Sequence, residues 1–517
     1  MLLTRRSRGF AALSFVCFAA CLTAGLAAQA FPDEARAARA FQEARREGPP
    51  ALRAFLYPMP KGADLHVHLG GAVYAETWIR EAVEDGVCVS STQLRLDDDH
   101  HAPDCPAGES PASAVPADQH LYDELIDAFS MRSFVPVTGD SGHDHFFDTF
   151  GRFGDDKRHT GDWIDEVASR AAAQNEQYLE LMQTPPFGGV RVLADRIGWN
   201  PDLSQFRNRL LASSEFRDGV ESARHYFTSA LQRRNEVEHC GEPDAASACG
   251  VTVRFLYQVL RGYPPQQVFA QTLLGFEVAS ADPDVVGINF VMPEDGYISM
   301  RDYALQMHML DYLHSQYPRV HISLHAGELA PGMVPPQGLT FHIRSAVEQG
   351  HAERIGHGVD VMYEDRPWQL LKEMADRHVM VEINLTSNDV ILNIKGDEHP
   401  FMLYRRMGVP VALSTDDEGV SRIDLTHEYV RAADTYPLSY HDLKLMVRTS
   451  IEHSFLSGPS LWERTTPEKL DPPVAACRGQ VGEAEPSGAC ARLVNSSQKA
   501  QQEWELERRF HAFESSF

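Results

Sequence analysis

Two histidines one residue apart, His66-Val67-His68, close a short apolar run. On a β-strand, side chains alternate with a period of two, so both imidazoles face the same side and can share a metal ion. Four other apolar runs end as abruptly in polar groups: His325-Ala326-Gly327-Glu328, Ile355-Gly356-His357-Gly358, Asn384-Leu385-Thr386-Ser387-Asn388 and Ser414-Thr415-Asp416-Asp417. His325 adds a third nitrogen and Asp416 an anionic oxygen. Three His and one Asp suit a single zinc ion that also holds a water, whose pKa falls to roughly 7 on such a metal. A second ion usually needs a bridging Lys or carboxylate at a middle strand end, and Val285 to Phe290 offers no Lys. Glu328 lies three residues past His325, beside the ion rather than on it, where a closed pocket would keep it protonated as a proton donor. His357 reads as the group that takes the proton from the water or orients the nucleophile. Asp417 cannot face the same ion as Asp416 along a regular strand, so it reads as a substrate or water contact, or else as a helix N-cap. These residues alone describe a mononuclear metal hydrolase.

Such groups need strand ends to hold them. Eight short apolar segments read as buried strands: Asp64 to His68, Tyr178 to Gln183, Thr252 to Leu260, Val285 to Phe290, His321 to His325, Arg354 to His357, Val379 to Asn384 and Val409 to Ser414. Helical patterns such as Tyr303 to Ser315 and Pro367 to Arg377 separate most of them. The expected fold is α/β, a TIM-type (β/α)8 barrel with active groups at the C-terminal strand ends. An open doubly wound sheet is disfavoured, because no Gly-x-Gly-x-x-Gly follows the first strand. The barrel is expected over 57–460, with a loop-rich insertion at about 85–150 and a mainly helical one at about 185–250. A helical arm (31–56) precedes it, and an extension (461–517) with a charged helix from Gln501 to Phe513 follows. His143-Asp144-His145 has no strand run before it and reads as surface or lid. Phe146, Phe147, Phe150 and Phe153 read as core or lid packing. His321, His342, His351, His378, His399, His427 and His453 read as surface or hydrogen-bonded residues.

The chain has 517 residues and a formal net charge of −26, which repels phosphate backbones and excludes a nucleic-acid partner. Arg5, Arg6 and Arg8 precede an apolar stretch ending in Ala28-Gln29-Ala30, so residues 1–30 read as an export signal cleaved before Phe31. The expected location is periplasmic or secreted, with no membrane anchor; Phe18-Ala19-Ala20-Cys21 is a poor lipobox, and Sec and Tat export both remain open. Past the signal, six cysteines form three sequence-local couples. In an oxidising compartment their spacing suggests Cys88–Cys105, Cys240–Cys249 and Cys477–Cys490 disulfides, out of fifteen pairings open to six cysteines.

From about Met59 to Ser457 the sequence resembles the adenosine deaminase family, and especially its secreted branch, the adenosine deaminase-related growth factors. The resemblance rests on Met59-Pro60-Lys61-Gly62 leading into Leu65-His66-Val67-His68, then His-Ala-Gly-Glu, Arg-Ile-Gly-His-Gly, Thr-Ser-Asn and Ser-Thr-Asp-Asp in that order. It implies one zinc per chain on His66, His68, His325 and Asp416, with Glu328, His357 and Asp417 doing acid–base work and holding substrate. It also implies hydrolytic deamination of adenosine or 2′-deoxyadenosine, and an arm and tail that serve as homodimer elements. Three departures bear on specificity. Leu69-Gly70-Gly71 stands where many members carry an acid that contacts ribose. Val291-Met292-Pro293-Glu294 replaces Gly-Asp-Glu or Gly-His-Glu, so Met292 takes the place of a glycine whose backbone binds the purine. Asn384-Leu385-Thr386-Ser387-Asn388 replaces a Cys-Pro-x-Ser-Asn form. A deaminase of adenine or of a modified purine, and an exported nucleoside-binding or signalling protein without turnover, are the competing readings.

Overall fold

The computed structural model describes residues 32–154, 157–463 and 472–517; the expected export signal, with Cys17 and Cys21, lies outside them. Eight strands follow one another around a single sheet in chain order. They are β1 (Gly62–His68), β2 (Glu176–Gln183), β3 (Thr252–Leu260), β4 (Val285–Val291), β5 (His321–Ala326), β6 (Arg354–His357), β7 (Met380–Ile383) and β8 (Val411–Leu413). Every neighbouring pair is parallel. The sheet closes on itself just past β8, where the His68 amide donates to the Asp416 carbonyl and the Asp416 amide to the His66 carbonyl, both at 2.9 Å. The result is the expected TIM-type barrel, and its closure is made by metal-candidate residues themselves.

Parallel strands covered on both faces should be near-continuous in burial, and every residue of β1, β2, β6 and β7 is buried. β3 and β6 keep their expected limits. β7 and β8 are shorter than their apolar runs, because the chain leaves the sheet to place its terminal polar groups: Asp416 sits in the left-handed region at φ 63°.

The first insertion is more ordered than its polar sequence suggests. It carries a three-stranded antiparallel sheet (Val87–Ser90, Arg95–His101, Glu109–Pro111) and helices at Gln119–Ala128 and Gly142–Thr149. Strand Arg95–His101 is mostly exposed and Asp-rich, so it shows no apolar alternation to read. The second insertion carries helices Gly188–Ile197, Leu203–Ala212 and Ser214–Val237. All three expected disulfides are present, Cys88–Cys105 and Cys240–Cys249 in the insertions and Cys477–Cys490 in the extension.

The arm forms two helices, Pro32–Glu47 and Pro49–Leu56, hinged at Gly48 with φ 102°. Arm and extension meet on helix Tyr440–Glu452: Phe55 packs edge-on against Phe513 and Tyr440, and Lys444 reaches both Glu34 (3.0 Å) and Glu514 (2.6 Å). Among the described residues no helix is long and apolar enough to cross a membrane.

Candidate metal centre and active site

The barrel brings His66 and His68 (end of β1), His325 (β5) and Asp416 (past β8) to one point, their ligand atoms all within 4.8 Å of one another. What surrounds them fixes which nitrogen faces that point. His66 Nδ1 pairs with the Glu382 carboxylate at 2.6 Å, His68 Nδ1 with Gln258 Oε1 at 2.6 Å, and His325 Nδ1 with Asn289 Oδ1 at 2.9 Å. Both amides are oriented by their other ends, since Gln258 Nε2 donates to Thr184 Oγ1 and Asn289 Nδ2 to the Ser323 carbonyl. Each Nδ1 therefore carries the proton, and each Nε2 turns a lone pair inward.

The inward groups fit a cation and little else. His68 Nε2 and His325 Nε2 stand 3.1 Å apart, lone pair against lone pair. Asp416 Oδ1 lies 3.4 Å from His66 Nε2 and 3.3 Å from His68 Nε2, and the buried His66 Nε2 and Asp416 Oδ1 have no hydrogen-bond partner. Buried polar atoms are nearly always satisfied, so this convergence marks a binding point. Asp416 Oδ2 is steadied by Ser387 Oγ at 2.6 Å. Burial lowers the His66 pKa, but the neighbouring Asp416 carboxylate and the hydrogen bond to Glu382 outweigh it and raise it to about 10, so the cluster favours positive charge at its centre. Burial and the neighbouring His66, His68 and His357 hold His325 well below the usual histidine range. Three imidazole nitrogens, one carboxylate and fixed outer partners are a zinc-type donor set.

Beside this point stand Glu328, His357 and Asp417. Glu328 is buried, and burial, then the Asp416 and Glu294 charges, push its carboxyl well above the usual range. His357 Nε2 lies 3.7 Å from Glu328 Oε1 and 3.9 Å from Asp416 Oδ2. Its tautomer follows from a buried chain. The Phe401 amide donates to His399 Nδ1 (3.1 Å), His399 Nε2 donates to Asn388 Oδ1 (3.0 Å), and Asn388 Nδ2 donates to His357 Nδ1 (2.9 Å). His357 thus accepts at Nδ1 and points an Nε2–H into the site; burial lowers its pKa to about 3 and keeps it neutral. His399, read from sequence with the ordinary histidines, is 4% exposed and belongs to this chain. Asp417 makes no side-chain cap bond to helix Glu418–Ser421, which removes the N-cap alternative. Burial first, then Asp416, raises its carboxyl well above the usual range.

Gly71 explains how Asp417 fits. A Cβ there would lie 1.6 Å from Asp417 Oδ1, so the Gly70-Gly71 departure clears the space the carboxyl occupies. Gly71→Ala is expected to displace Asp417, raising KM at least about tenfold while metal content stays full, on the scale of one lost hydrogen bond to a charged or polar ligand group. An unchanged KM would mean that Asp417 does not contact the substrate.

Met292, at the end of β4, has φ 97°, a conformation costly for any residue but glycine. Methionine meets this backbone requirement under strain, at the place where the resemblance would put a glycine. Arg261, which belongs to none of the motifs, donates from Nε to the Met292 carbonyl (3.2 Å) and from Nη1 to the His325 carbonyl (3.4 Å).

The outer partners were also missed. Glu382, Arg354 and Glu180 form a buried chain across the barrel interior, Arg354 bonding Glu180 and Glu382 at 2.6 Å each, and Glu382 passing to His66. The available signal was a charged residue inside an apolar run, as in Val381-Glu382-Ile383. Glu382→Gln places an NH2 against a donor and is expected to weaken metal affinity about 10- to 100-fold. Titration against a chromophoric chelator measures this, and unaltered affinity would refute the coupling. His143 lies on helix Gly142–Thr149 and meets Asp295 at 3.2 Å, a bridge from the insertion to the β4 end. Phe146 and Phe153 are buried, the latter stacked on Trp78 at 4.8 Å, which is core packing.

Residues 233–462 match the family model described as adenosine deaminase. Adenosine deaminase of Clostridium perfringens is 34% identical over 140 residues, covering 26% of this chain and 38% of that protein. The Escherichia coli enzyme is 35% identical over 139 residues, with shares of 27% and 38%. The match thus spans less than half the length of these curated relatives. Among solved structures, the N6-mAMP deaminase of Arabidopsis superposes with a TM-score of 0.50 at 22% identity, covering 78% of this chain and 96% of that one. A zinc-bound amidohydrolase of Burkholderia ambifaria gives 0.51 at 18% identity, covering 78% and 88%. These likenesses show the fold. Residues 233–462, which carry His325, Glu328, His357, Asp416 and Asp417, are similar to the adenosine deaminase family model.

Proposed function

We propose that this protein is a zinc-dependent hydrolytic deaminase of a purine nucleoside, with adenosine and 2′-deoxyadenosine as first substrates and inosine or 2′-deoxyinosine and ammonia as products. One observation carries the reading: the inward Nε2 atoms of His66, His68 and His325 and the Asp416 carboxylate converge next to the buried Glu328, whose carboxyl is pushed well above the usual range by burial and by the Asp416 and Glu294 charges. A bound zinc supplies water acidified enough to attack at neutral pH. Glu328 donates its proton to the ring nitrogen beside the amine-bearing carbon, which makes that carbon electrophilic. The water oxygen adds there, one of its protons restoring the Glu328 carboxyl and the other passing to the exocyclic amino group; the C–N bond then breaks, a carbonyl is left on the ring carbon, and the amino group leaves as ammonia. His357, with Nε2–H inward and Nδ1 already accepting from Asn388, orients the incoming oxygen as a donor rather than taking its proton. Asp417, whose carboxyl burial and the adjacent Asp416 raise well above the usual range, serves as a contact to a purine nitrogen.

The purine reading is supported by the match of residues 233–462 to the adenosine deaminase family model, and an Arabidopsis structure of the same fold is in complex with IMP. Leu69-Gly70-Gly71 supplies no carboxylate for ribose, so the sugar contributes less here than where an acid follows the His pair. The three loop disulfides suit the export reading. Ammonia release from adenosine, 2′-deoxyadenosine, adenine, AMP and guanosine ranks the substrates. Preference for either nucleoside supports the reading, and turnover confined to adenine or AMP would replace it with another purine deaminase.

A further inference from the structure

Glu294 follows the strained Met292 by two residues and is 1% exposed. Its two carboxylate oxygens serve two consecutive amides of another strand end: Gly327 N–H donates to Oε1 at 3.0 Å and Glu328 N–H to Oε2 at 2.8 Å. Charge-assisted bonds of this kind are about twice as strong as neutral ones, and a bidentate pair fixes orientation as well as distance. His342 Nδ1 lies 3.8 Å from Oε1, and the Asp360, Glu364 and Tyr303 side chains also feel the Glu294 charge. On the far side of the same loop, Arg261 holds the His325 carbonyl and, with its other arm, the Met292 carbonyl. The segment from His325 to Glu328 is therefore gripped at its carbonyl end by Arg261 and at its amide end by Glu294. Gly327 turns between them at φ 76°, with Asp360 Oδ1 so close that a Cβ would lie 2.5 Å from it.

We infer that Glu294 is a positioning residue for Glu328. By clamping the amides of Gly327 and Glu328 it aims the Glu328 carboxyl at the substrate ring nitrogen, and the left-handed turn at Met292 is what carries Glu294 from β4 back to β5. The inference rests on the acid role of Glu328 proposed above. It goes beyond that role in assigning the aim of the acid to a residue that touches neither metal nor substrate. Proton transfer demands near-attack geometry, and a displacement of about 1 Å costs on the order of a hundredfold in rate.

The variant Glu294→Gln tests it in the full-length, zinc-loaded protein. Its amide keeps one acceptor oxygen and sets an NH2 against the second amide donor, with little change of volume. Expected are a fall in kcat of about 10- to 100-fold, KM within about threefold of the parent, and equal zinc content. Residue-resolved hydrogen–deuterium exchange should speed up at the Gly327 and Glu328 amides while distant barrel strands keep their protection. An unchanged kcat, a defect confined to KM, loss of zinc, unaltered exchange at the two amides, or faster exchange throughout the barrel would each overturn the positioning role. Absence of turnover by the parent protein on every purine would instead refute the proposed function, and the exchange comparison would still decide whether Glu294 holds the Glu328 loop.

Discussion

Glu328→Gln is expected to bind zinc at the parent level and lose about a hundred- to ten-thousand-fold in kcat, the range carried by a positioned acid. Gln matches Glu in size and keeps a carbonyl acceptor, but has no acidic proton to give. The carboxyl is buried, lies 3.7 Å from His357 Nε2 and is not among the four clustered ligand residues His66, His68, His325 and Asp416, so the change should spare the metal. Steady-state kinetics beside elemental analysis separates the two effects. Near-normal turnover would remove Glu328 from the acid role. Loss of zinc would show instead that it supports the metal.

His325→Ala is expected to have the largest effect on the metal itself. Three facing nitrogens and a carboxylate become two nitrogens and a carboxylate, and the Asn289 amide loses the ring it orients. Removing a ligand should cost more than the roughly 10- to 100-fold typical of an outer partner, so zinc should be lost on dialysis and turnover with it. Full zinc occupancy in dialysed His325→Ala would break the ligand assignment.

The eight strands were legible because parallel strands covered on both faces read as uninterrupted apolar runs, and the site was legible because such runs ended in His, Glu and Asp. His66-Val67-His68 and Ser414-Thr415-Asp416-Asp417 needed only the alternation of side chains to be placed. What escaped the sequence is whatever lies inside a run rather than at its end. Glu180, Glu382 and Arg354 are charges whose partners are 28 to 174 residues away, and local pattern says nothing of such pairings. His399 escaped for the same reason: its partner Asn388 was visible, but the turn that brings the two together was not. The strand Arg95–His101 escaped because its surface is polar on both faces. The left-handed backbone at Met292, His357 and Asp416 was out of reach too, since none of the three is glycine. All three lie at strand ends around the site, where strain is tolerated because the surrounding structure fixes it.

The most direct measurement is the rate of ammonia release from adenosine by purified protein before chelation, after removal of metal, and after one equivalent of zinc is restored. The account predicts turnover that disappears with the metal and returns with zinc, inosine appearing in equal amount to ammonia. Turnover that survives complete removal of metal, or a zinc-loaded protein that releases no ammonia from adenosine, would contradict it.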